Sequence, residues 1–306
     1  MAINAGTAIG YLDLDTSKFG NALKTAQKQL SSFSKDSLSA GQKFTSVGQG
    51  LKTVGSTLSK AVTVPLLAAG IASTKTAVDF ESAFAGVKKT VDATDTELAK
   101  LEKGIRSMAK EMPTAATEIA GVAEAAGQLG IKTPNILDFT KTMVMLGDST
   151  NMSAEEAATS LARLANITGM SQKDFNKLGS TIVALGNNMA TTESEITAMG
   201  LRLAGAGSQI GLTEAQTMSF AAALSSVGIE AEAGGSAFSK VMIDMNLATE
   251  KGGKKLEQFA KVAGMSASEF KTAFEKDATG AILSFIKGLG DAESKGQSAI
   301  GILDKM

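Results

Sequence analysis

A series of helix-start signals between residues 94 and 269 constrains the fold of this chain more than any other feature. A Ser or Thr followed three residues later by a Glu has the spacing of a capping box, in which each residue hydrogen-bonds the backbone of the other. We therefore expect a helix after each such pair. The full pairs are Thr94 with Glu97, Ser153 with Glu156, Thr192 with Glu195, and Ser266 with Glu269; weaker forms are Ser171 with Asp174 and Thr213 with Gln216; and Thr133-Pro134 places a cap before a first-turn proline.

Glycines supply the matching helix stops, because a helix often ends at a residue in the left-handed conformation that glycine adopts most easily. The expected stops are Gly130, Gly147, Gly169, Gly186, Gly228 and Gly264. Starts and stops together predict an irregular, alanine-rich all-α domain over residues 93–290, without a sequence repeat that survives inspection. The expected helices span about 95–110, 114–129, 134–146, 154–167, 172–186, 193–205, 214–227, 235–249, 254–263, 267–275 and 278–289.

A heptad pattern predicts a coiled-coil arm over residues 16–61. Its apolar positions recur at alternating intervals of three and four residues, and small residues flank them. We expect this seam to hold three or more copies of the chain together. Its residues are Phe19, Leu23, Ala26, Leu30, Phe33, Phe44, Val47, Leu51, Val54 and Leu58.

The remaining segments complete the expected organisation. Residues 1–15 form an extended lead, with a short strand at 7–14. Residues 62–92 form a connecting apolar helix that starts at Pro65, since proline is well tolerated in a first helical turn. We expect residues 291–306 to begin a further helix that is cut short, because Ile302 lies in an apolar helical pattern that lacks a cap.

The composition excludes several kinds of chemistry. The chain has 306 residues with no Cys and no His, so thiolate and imidazole catalysis and Cys/His zinc sites are ruled out. Glu155, Glu156 and Asp244 are the nearest approach to clustered acids, and helix capping and solvation explain them. We therefore expect a protein that is not an enzyme and that has no catalytic centre, cofactor or metal site.

Charge is distributed unevenly along the chain. Residues 16–60 contain seven lysines and one acid, Asp36, although the whole chain has a net charge of −1. Nearly all of these lysines lie on the side of the heptad away from the seam. A solvated outer face explains them, and contact with something acidic, such as DNA or a partner protein, is the alternative.

Several short stretches from Lys75 to Phe238, in this order and at this spacing, carry a family resemblance, which extends from about Thr76 to Leu289. The chain resembles the amino-terminal domain of phage tail tape-measure proteins, the TP901-like minor tail family. The opening Leu12–Phe19, followed by a lysine-rich coil, is also typical of that family. The stretches are Lys75–Val87, Ala93–Leu101, Thr117–Ala120, Ala125–Gly130, Ala204–Gly207, Gly211–Thr217, Ala221–Ile229 and Glu232–Phe238.

The resemblance implies a structural protein of a long-tailed phage or prophage that acts in tail assembly, tail-length determination and genome delivery. It implies a place in the tail lumen after assembly and in the host cytoplasm before it. Its partners would be other copies, tail tube or tail tip proteins and tail assembly chaperones, with contact to phage DNA or the host membrane left open. The chain departs from the family in lacking long helical repeats, membrane spans and a hydrolase domain, and we expect a fragment or a truncated gene.

A membrane-acting or secreted helical effector is the alternative function. Residues 61–91 include the longest uncharged apolar stretch, and they would then lie on a bilayer or insert as a hairpin. That stretch is too short to span a bilayer, which takes roughly 20 residues.

Overall fold

A computed structural model describes residues 72–295, 298 and 301–302 of the chain. The expected strand at 7–14 and the arm at 16–61 lie outside the described residues, as does the first part of the connecting helix. Within the described part the regular structure is helical, with no strand, which confirms the all-α class there. The helices are α1 Ala72–Thr90, α2 Asp95–Glu111, α3 Ala116–Gln128, α4 Ile136–Ser149, α5 Ala154–Thr168, α6 Phe175–Asn188, α7 Glu193–Gln209, α8 Glu214–Ser226, α9 Ser236–Lys251, α10 Lys254–Val262, α11 Ala267–Lys276 and α12 Ala278–Ser294.

The predicted capping boxes begin the helices as expected. Thr94, Thr192 and Ser266 each form the reciprocal pair with the Glu three residues later. Thr213 forms the same pair with Gln216, although its sequence signal was weaker. Ser153 forms only one of the two hydrogen bonds of a capping box. Its hydroxyl accepts from the Glu156 amide, but the Glu156 side chain does not accept from the Ser153 amide.

Two predicted starts are wrong in detail. Helix α6 begins at Phe175 rather than near 172, because residues 171–174 form a turn in which the Asp174 amide donates to the Ser171 carbonyl at 3.0 Å. The Ser171 hydroxyl accepts from the Lys173 amide within this turn. Thr133 does not cap α4, since its hydroxyl donates to the Asp92 carbonyl at 2.7 Å. Residues Thr133–Asn135 instead form a single 3₁₀ turn, and α4 follows.

Of the six glycines predicted to end helices, four lie at helix ends or in the turns that follow them, and two lie inside helices. Gly130, Gly169, Gly228 and Gly264 have φ of 80°, 75°, 81° and 73°, as the stop prediction requires. The predictions for Gly147 and Gly186 are wrong, because they lie inside α4 and α6. A Cβ on Gly147 would lie 2.7 Å from the Ala154 amide nitrogen, and one on Gly186 would lie 2.5 Å from the Glu193 carboxylate. These glycines allow the next helix to start against the preceding one.

The helices stack in two rows, which is more regular than the irregular domain that the sequence indicates. Row one contains α1, α3, α5, α7 and α9, and row two contains α2, α4, α6 and α8. Each helix packs on the next member of its own row and, in most cases, on its neighbour in the chain. Successive members of row two begin at Asp95, Ile136, Phe175 and Glu214, a spacing of about 40 residues that is typical of stacked helical pairs.

Three further helices close one end of the stack. Helices α10, α11 and α12 pack on each other, and α10 and α11 also contact α9. Their shared core is aromatic: the Phe259 ring lies 5.4 Å from Phe285 and 6.3 Å from Phe270 between ring centroids. Elsewhere the core is built from small aliphatic residues and methionine, and Met143, Met199, Met218 and Met245 are fully buried. The methionines therefore fill gaps in the core, as expected for an adaptable side chain.

Candidate functional site

The predicted oligomer seam lies outside the described residues. Its members, Phe19, Leu23, Ala26, Leu30, Phe33, Phe44, Val47, Leu51, Val54 and Leu58, therefore stay a prediction from the sequence.

The acids considered for catalysis have local roles. Glu155 and Glu156 lie exposed in the first turn of α5, where a negative charge is favourable for the helix dipole. The Glu156 carboxylate accepts a bond from the Ser194 hydroxyl at 3.4 Å. Asp244, on α9, forms an ion pair with Lys255 at 3.2 Å. Within the described residues no three acidic side chains converge in a metal-binding arrangement.

Three glycines with positive φ form the turns that follow α7 and α9. Gly252 and Gly253 have φ of 70° and 79° and connect α9 to α10. Gly211, with φ of 77°, follows α7. Gly207 lies one turn earlier, inside α7, where a Cβ would approach the Thr217 hydroxyl at 2.9 Å.

The turns that lead from row two to row one form one edge of the stack, and this edge is acidic. They span residues 112–115, 150–153, 189–192 and 227–235. Helices α4, α6 and α8 carry no basic residue in their last turns there, whereas α2 carries Lys110. We call this surface the acidic turn edge; its carboxylates are Glu111, Glu118, Asp148, Glu155, Glu156, Glu193, Glu195, Glu230 and Glu232.

Hydrogen bonds between successive turns hold the acidic turn edge together. The Thr114 hydroxyl donates to the Asp148 carboxylate at 2.9 Å. The Ser194 amide donates to the Asn151 side chain at 3.1 Å. The hydroxyls of Thr191 and Ser225 lie 2.6 Å apart. Because each bond joins neighbouring repeats of the stack, the carboxylates sit on a connected framework rather than on independent loops.

Two carboxylates of this edge have opposite pKa shifts. Burial raises the pKa of Asp148, which the Thr114 hydrogen bond offsets in part and the nearby Glu118 charge increases. The Thr192 amide and hydroxyl lower the pKa of Glu195 by stabilising its ionised form, and Thr191 adds a third hydrogen bond. A negative charge on this edge is therefore destabilised at Asp148, near the end of α4, and stabilised at Glu195, at the start of α7.

At the opposite edge of the stack, the Gln172 side chain joins the turn before α6 to the turn before α4. The Gln172 carbonyl oxygen accepts from the Lys132 amide at 2.9 Å, and its amide group donates to the Gly130 carbonyl at 3.1 Å. The Asn135 side chain adds a bond to the same Gln172 oxygen at 3.2 Å. Thr90, at the end of α1, donates to the Glu124 carbonyl of α3 at 3.1 Å.

The outer face of row one exposes apolar side chains and unpacked glycines. The exposed large hydrophobics of the described residues are Val78 on α1, Ile167 on α5, and Ile243 with Leu247 on α9. Gly121 in α3 and Gly205 in α7 are exposed in helix interiors, and a Cβ on either would meet nothing within 4 Å. Glycine weakens a helix interior by up to about 1 kcal/mol relative to alanine, and no packing within the described domain requires it at these two positions.

The outer face of α2, the first helix of row two, is basic and forms one end of that row. Lys100, Lys103, Ser107 and Lys110 are exposed and follow a spacing of three and four residues, so they lie on one side of α2. Arg106 lies beside them with its guanidinium 3.8 Å from the centroid of the Phe80 ring and 2.9 Å from Glu102. A helix stack needs such a polar surface at its ends to stay soluble.

Comparison with known protein families identifies the chain's relatives. The model of the family of phage-related minor tail proteins matches residues 102–304, which include α3 to α12 and most of α2. The chain belongs to this family. No curated protein and no solved structure matches this minor tail protein. Family membership gives it a structural role as a component of a phage tail.

Sequence reasoning missed the two rows and the acidic turn edge of this minor tail protein. The sequence did contain a signal of the repeat. The separation between Gly147 and Ser153 is the same as that between Gly186 and Thr192, one repeat later.

Among the described helices, none is both long and apolar enough to cross a membrane.

Proposed function

We propose that this chain is a non-enzymatic tail protein of the tape-measure type, which acts in tail assembly, tail-length determination and genome delivery. The arm at 16–61 brings three or more copies together, and the helix stack binds other tail components. These components are tail tube, tail tip or tail assembly chaperone proteins. The complex lies in the tail lumen after assembly and in the host cytoplasm before it.

The observation that supports this proposal is that two surfaces of the helix stack are suited to binding other proteins. Hydrogen bonds between repeats join the turns of the acidic turn edge. The outer face of row one exposes Ile243 and Leu247 on α9, and Gly121 and Gly205 are unpacked on α3 and α7. Ile243 and Leu247 lie one turn apart on α9, and neighbouring exposed apolar side chains favour a protein-binding role. The match to the phage-related minor tail family supports placing those contacts in a tail.

The experiment is a pair of in-frame deletions in the phage that encodes the chain. Removing 14 residues, which is two heptads, from the arm keeps the seam in register. If the arm lies extended along the tail, each tail shortens by about 21 Å, at 1.5 Å per helical residue. Tail length is measured by electron microscopy of purified particles. Removing α5 with α6, which is about one repeat of the stack, is the second deletion.

The two deletions separate the parts of the proposal. We expect the stack deletion to abolish tails, because it removes contact surfaces rather than length. Normal tails of unchanged length from both deletions would overturn the proposal. Tails that vanish with the stack deletion but keep their length with the arm deletion would retain the tail-assembly role and reject length determination.

The non-enzymatic part of the proposal has its own test. Replacing Glu155, Glu156 and Asp244 by their amides should leave tail assembly and infectivity unchanged, since each side chain has a local structural role. A folded triple variant that assembles tails but fails to deliver the genome would contradict this part.

A further inference from the structure

Helix α9 exposes a narrow stripe in which two apolar residues lie between opposite charges. Lys240, Ile243, Leu247 and Glu250 are all exposed, and their intervals of three, four and three residues place them on one side of the helix. Ile243 and Leu247 are 36% and 39% exposed. Among the described residues, no other helix exposes two large hydrophobic side chains. We call these four residues the α9 stripe.

Polar groups that already have partners border the α9 stripe on both sides. Residues advance by about 100° per position around a helix, which places Asp244 and Ser239 on opposite sides of the stripe. Asp244 forms an ion pair with Lys255 of α10 at 3.2 Å, and the Ser239 hydroxyl donates to the Arg202 carbonyl of α7 at 2.9 Å. An apolar centre with a polar border is the usual anatomy of a protein interface.

The two charges of the α9 stripe are available to another molecule and are placed symmetrically. Among the described residues Lys240 has no ion-pair partner, and the Glu250 carboxylate accepts only from the Asn246 side chain at 3.4 Å. Lys240 lies three residues before Ile243, and Glu250 lies three residues after Leu247. Turned end over end, the stripe therefore presents an apolar pair in the same place and the opposite charge at each end.

We propose that the α9 stripe binds the α9 stripe of a second copy of this chain, with the two helices antiparallel about a twofold axis. Ile243 packs on Leu247 of the partner subunit, Lys240 faces Glu250 of the partner subunit, and each contact occurs twice. This inference rests on the protein-binding role proposed above for the outer face of row one, and it names the partner there. It does not involve the arm.

Charge selects the antiparallel arrangement and the second copy together. In a parallel pair Lys240 would face Lys240 of the partner subunit, and Glu250 would face Glu250 of the partner subunit. Like charges on neighbouring helices are destabilising, whereas opposite charges are favourable. A partner with another sequence would have to match the apolar pair and both charges, whereas a second copy matches all of them by symmetry.

The contact is small and therefore weak. A single helix face with two apolar residues per chain covers far less than the total of about 1,200 Å² that stable interfaces bury. Such a contact gains strength where copies are held close together, because linkage raises their effective concentration. We therefore expect dimers only at protein concentrations well above those that reveal the seam of the arm.

Charge-reversal variants test the pairing by sedimentation equilibrium of concentrated protein. The full chain carries Leu51→Asp throughout, which removes association through the predicted seam. Lys240→Glu and Glu250→Lys should each weaken dimerisation by roughly tenfold, because both charge pairs become repulsive. Lys276→Glu is the matched control, since Lys276 is an exposed lysine at the end of α11.

Mixing the two charge variants provides the decisive result. An equimolar mixture of the Lys240→Glu and Glu250→Lys chains should dimerise again, because each chain supplies the charge that the other lacks. A mixture that associates no better than the single variants would overturn the proposal. Equal weakening by the Lys276→Glu control would also overturn it, because the effect would then follow net charge rather than the α9 stripe.

Cross-linking determines the orientation, because the chain has no native Cys. A bismaleimide that spans the roughly 8–10 Å between packed helices should join a Lys240→Cys chain to a Glu250→Cys chain. Neither variant should join to itself, since equivalent residues are about 15 Å apart along an antiparallel pair, at 1.5 Å per residue. Cross-linking of each variant only to itself would overturn the antiparallel pairing.

Failure of this inference can be distinguished from failure of the proposed function. Ile243→Asp should abolish dimerisation of the purified chain and lower the number of tails in the phage, while its unfolding midpoint stays near that of the parent because Ile243 is exposed. If the Leu51→Asp chain stays monomeric at every concentration and Ile243→Asp still lowers the number of tails, the second copy is rejected. That result would keep the protein-binding role and assign the α9 stripe to another tail protein.

Discussion

Gln172 holds the turn at Gly130 from 42 residues away, donating to the Gly130 carbonyl at 3.1 Å. The same side chain accepts from the Lys132 amide, so one residue satisfies both backbone groups of a turn in the preceding repeat. A hydrogen bond of this kind contributes about 0.5–1.5 kcal/mol net to stability. Gln172 is thus the main link between two neighbouring turns on the edge opposite the acidic one.

Gln172→Ala should lower the free energy of unfolding by about 1–3 kcal/mol, because it removes bonds to Gly130, Lys132 and Asn135 together. Gln128→Ala is the control, since Gln128 is exposed and bonds only the Glu124 side chain. We expect the control to change stability by less than about 0.5 kcal/mol. Urea denaturation of both variants measures the difference, and equal effects would contradict the assigned role of Gln172.

The sequence predicted most helix starts because their signals are local. Thr94, Thr192 and Ser266 bond within their own first turns, so no tertiary information is needed to find them. Thr133, also predicted as a helix cap, bonds instead to Asp92, 41 residues away. The prediction failed where a distant partner competes for the hydroxyl.

The regular stack was missed because spacing and packing specify it rather than a shared motif. Gly147 and Gly186 occupy equivalent places before successive row-one helices, yet one faces a backbone amide and the other a carboxylate. Sequence alone does not separate a glycine that ends a helix from one that allows a close approach. The acidic turn edge has the same origin, since its charges are far apart in sequence and only stacking aligns them.

Alanine substitutions distinguish the two kinds of helical glycine. Gly147→Ala should destabilise the fold by about 1–3 kcal/mol, because its Cβ would overlap the Ala154 amide nitrogen and backbone cannot move aside easily. Gly121→Ala and Gly205→Ala should each stabilise it by about 0.5–1 kcal/mol, since each replaces an exposed glycine in a helix interior. Thermal or urea unfolding provides the measurement, and a stabilising Gly147→Ala would contradict the close contact.

The Gly121 and Gly205 variants also test the outer face of row one in the phage. If tail components approach the backbone there, the variants should be more stable as isolated proteins and yet assemble fewer tails. Normal assembly by both would remove these glycines from the proposed contact surface.

Asp148→Asn should stabilise the protein at pH 7. Burial raises the pKa of Asp148, so the folded state binds its proton more tightly than the unfolded state does. The wild type therefore loses stability as pH rises from the ordinary aspartate pKa of about 3.9 through the raised folded value. The amide removes this loss and still accepts from the Thr114 hydroxyl. Urea midpoints from pH 3 to 7 should converge at the acidic end, and a constant difference across that range would contradict the assignment.

The capping-box carboxylates should have the opposite pH dependence. Hydrogen bonds from the cap residues lower the pKa values of Glu97, Glu195 and Glu269. Their stabilisation is complete above the ordinary glutamate pKa of about 4.3 and is lost as pH falls through the lowered folded values. Replacing all three by Gln keeps an acceptor for the cap and removes the charge. In an Asp148→Asn background, the advantage of the Glu form should shrink steadily below pH 4.5, and an advantage that is independent of pH would contradict this origin.

The predicted seam requires the apolar side chains of the arm to face one another between copies of the chain. Leu51 is predicted at an a position, so Leu51→Asp should place a charge inside the seam and dissociate the full chain into monomers. Lys52→Asp is the matched control, because Lys52 follows directly and points away from the seam in the same heptad frame. Sedimentation velocity over a range of concentrations should show a mass of three or more chains for the wild type and for the control, and a monomer for Leu51→Asp. If the arm instead folds back on its own helix stack, the wild type stays monomeric at every concentration and Leu51→Asp lowers its unfolding midpoint without changing its mass. That second pattern would reject the seam as an oligomerisation site and assign the apolar stripe to the domain's own surface.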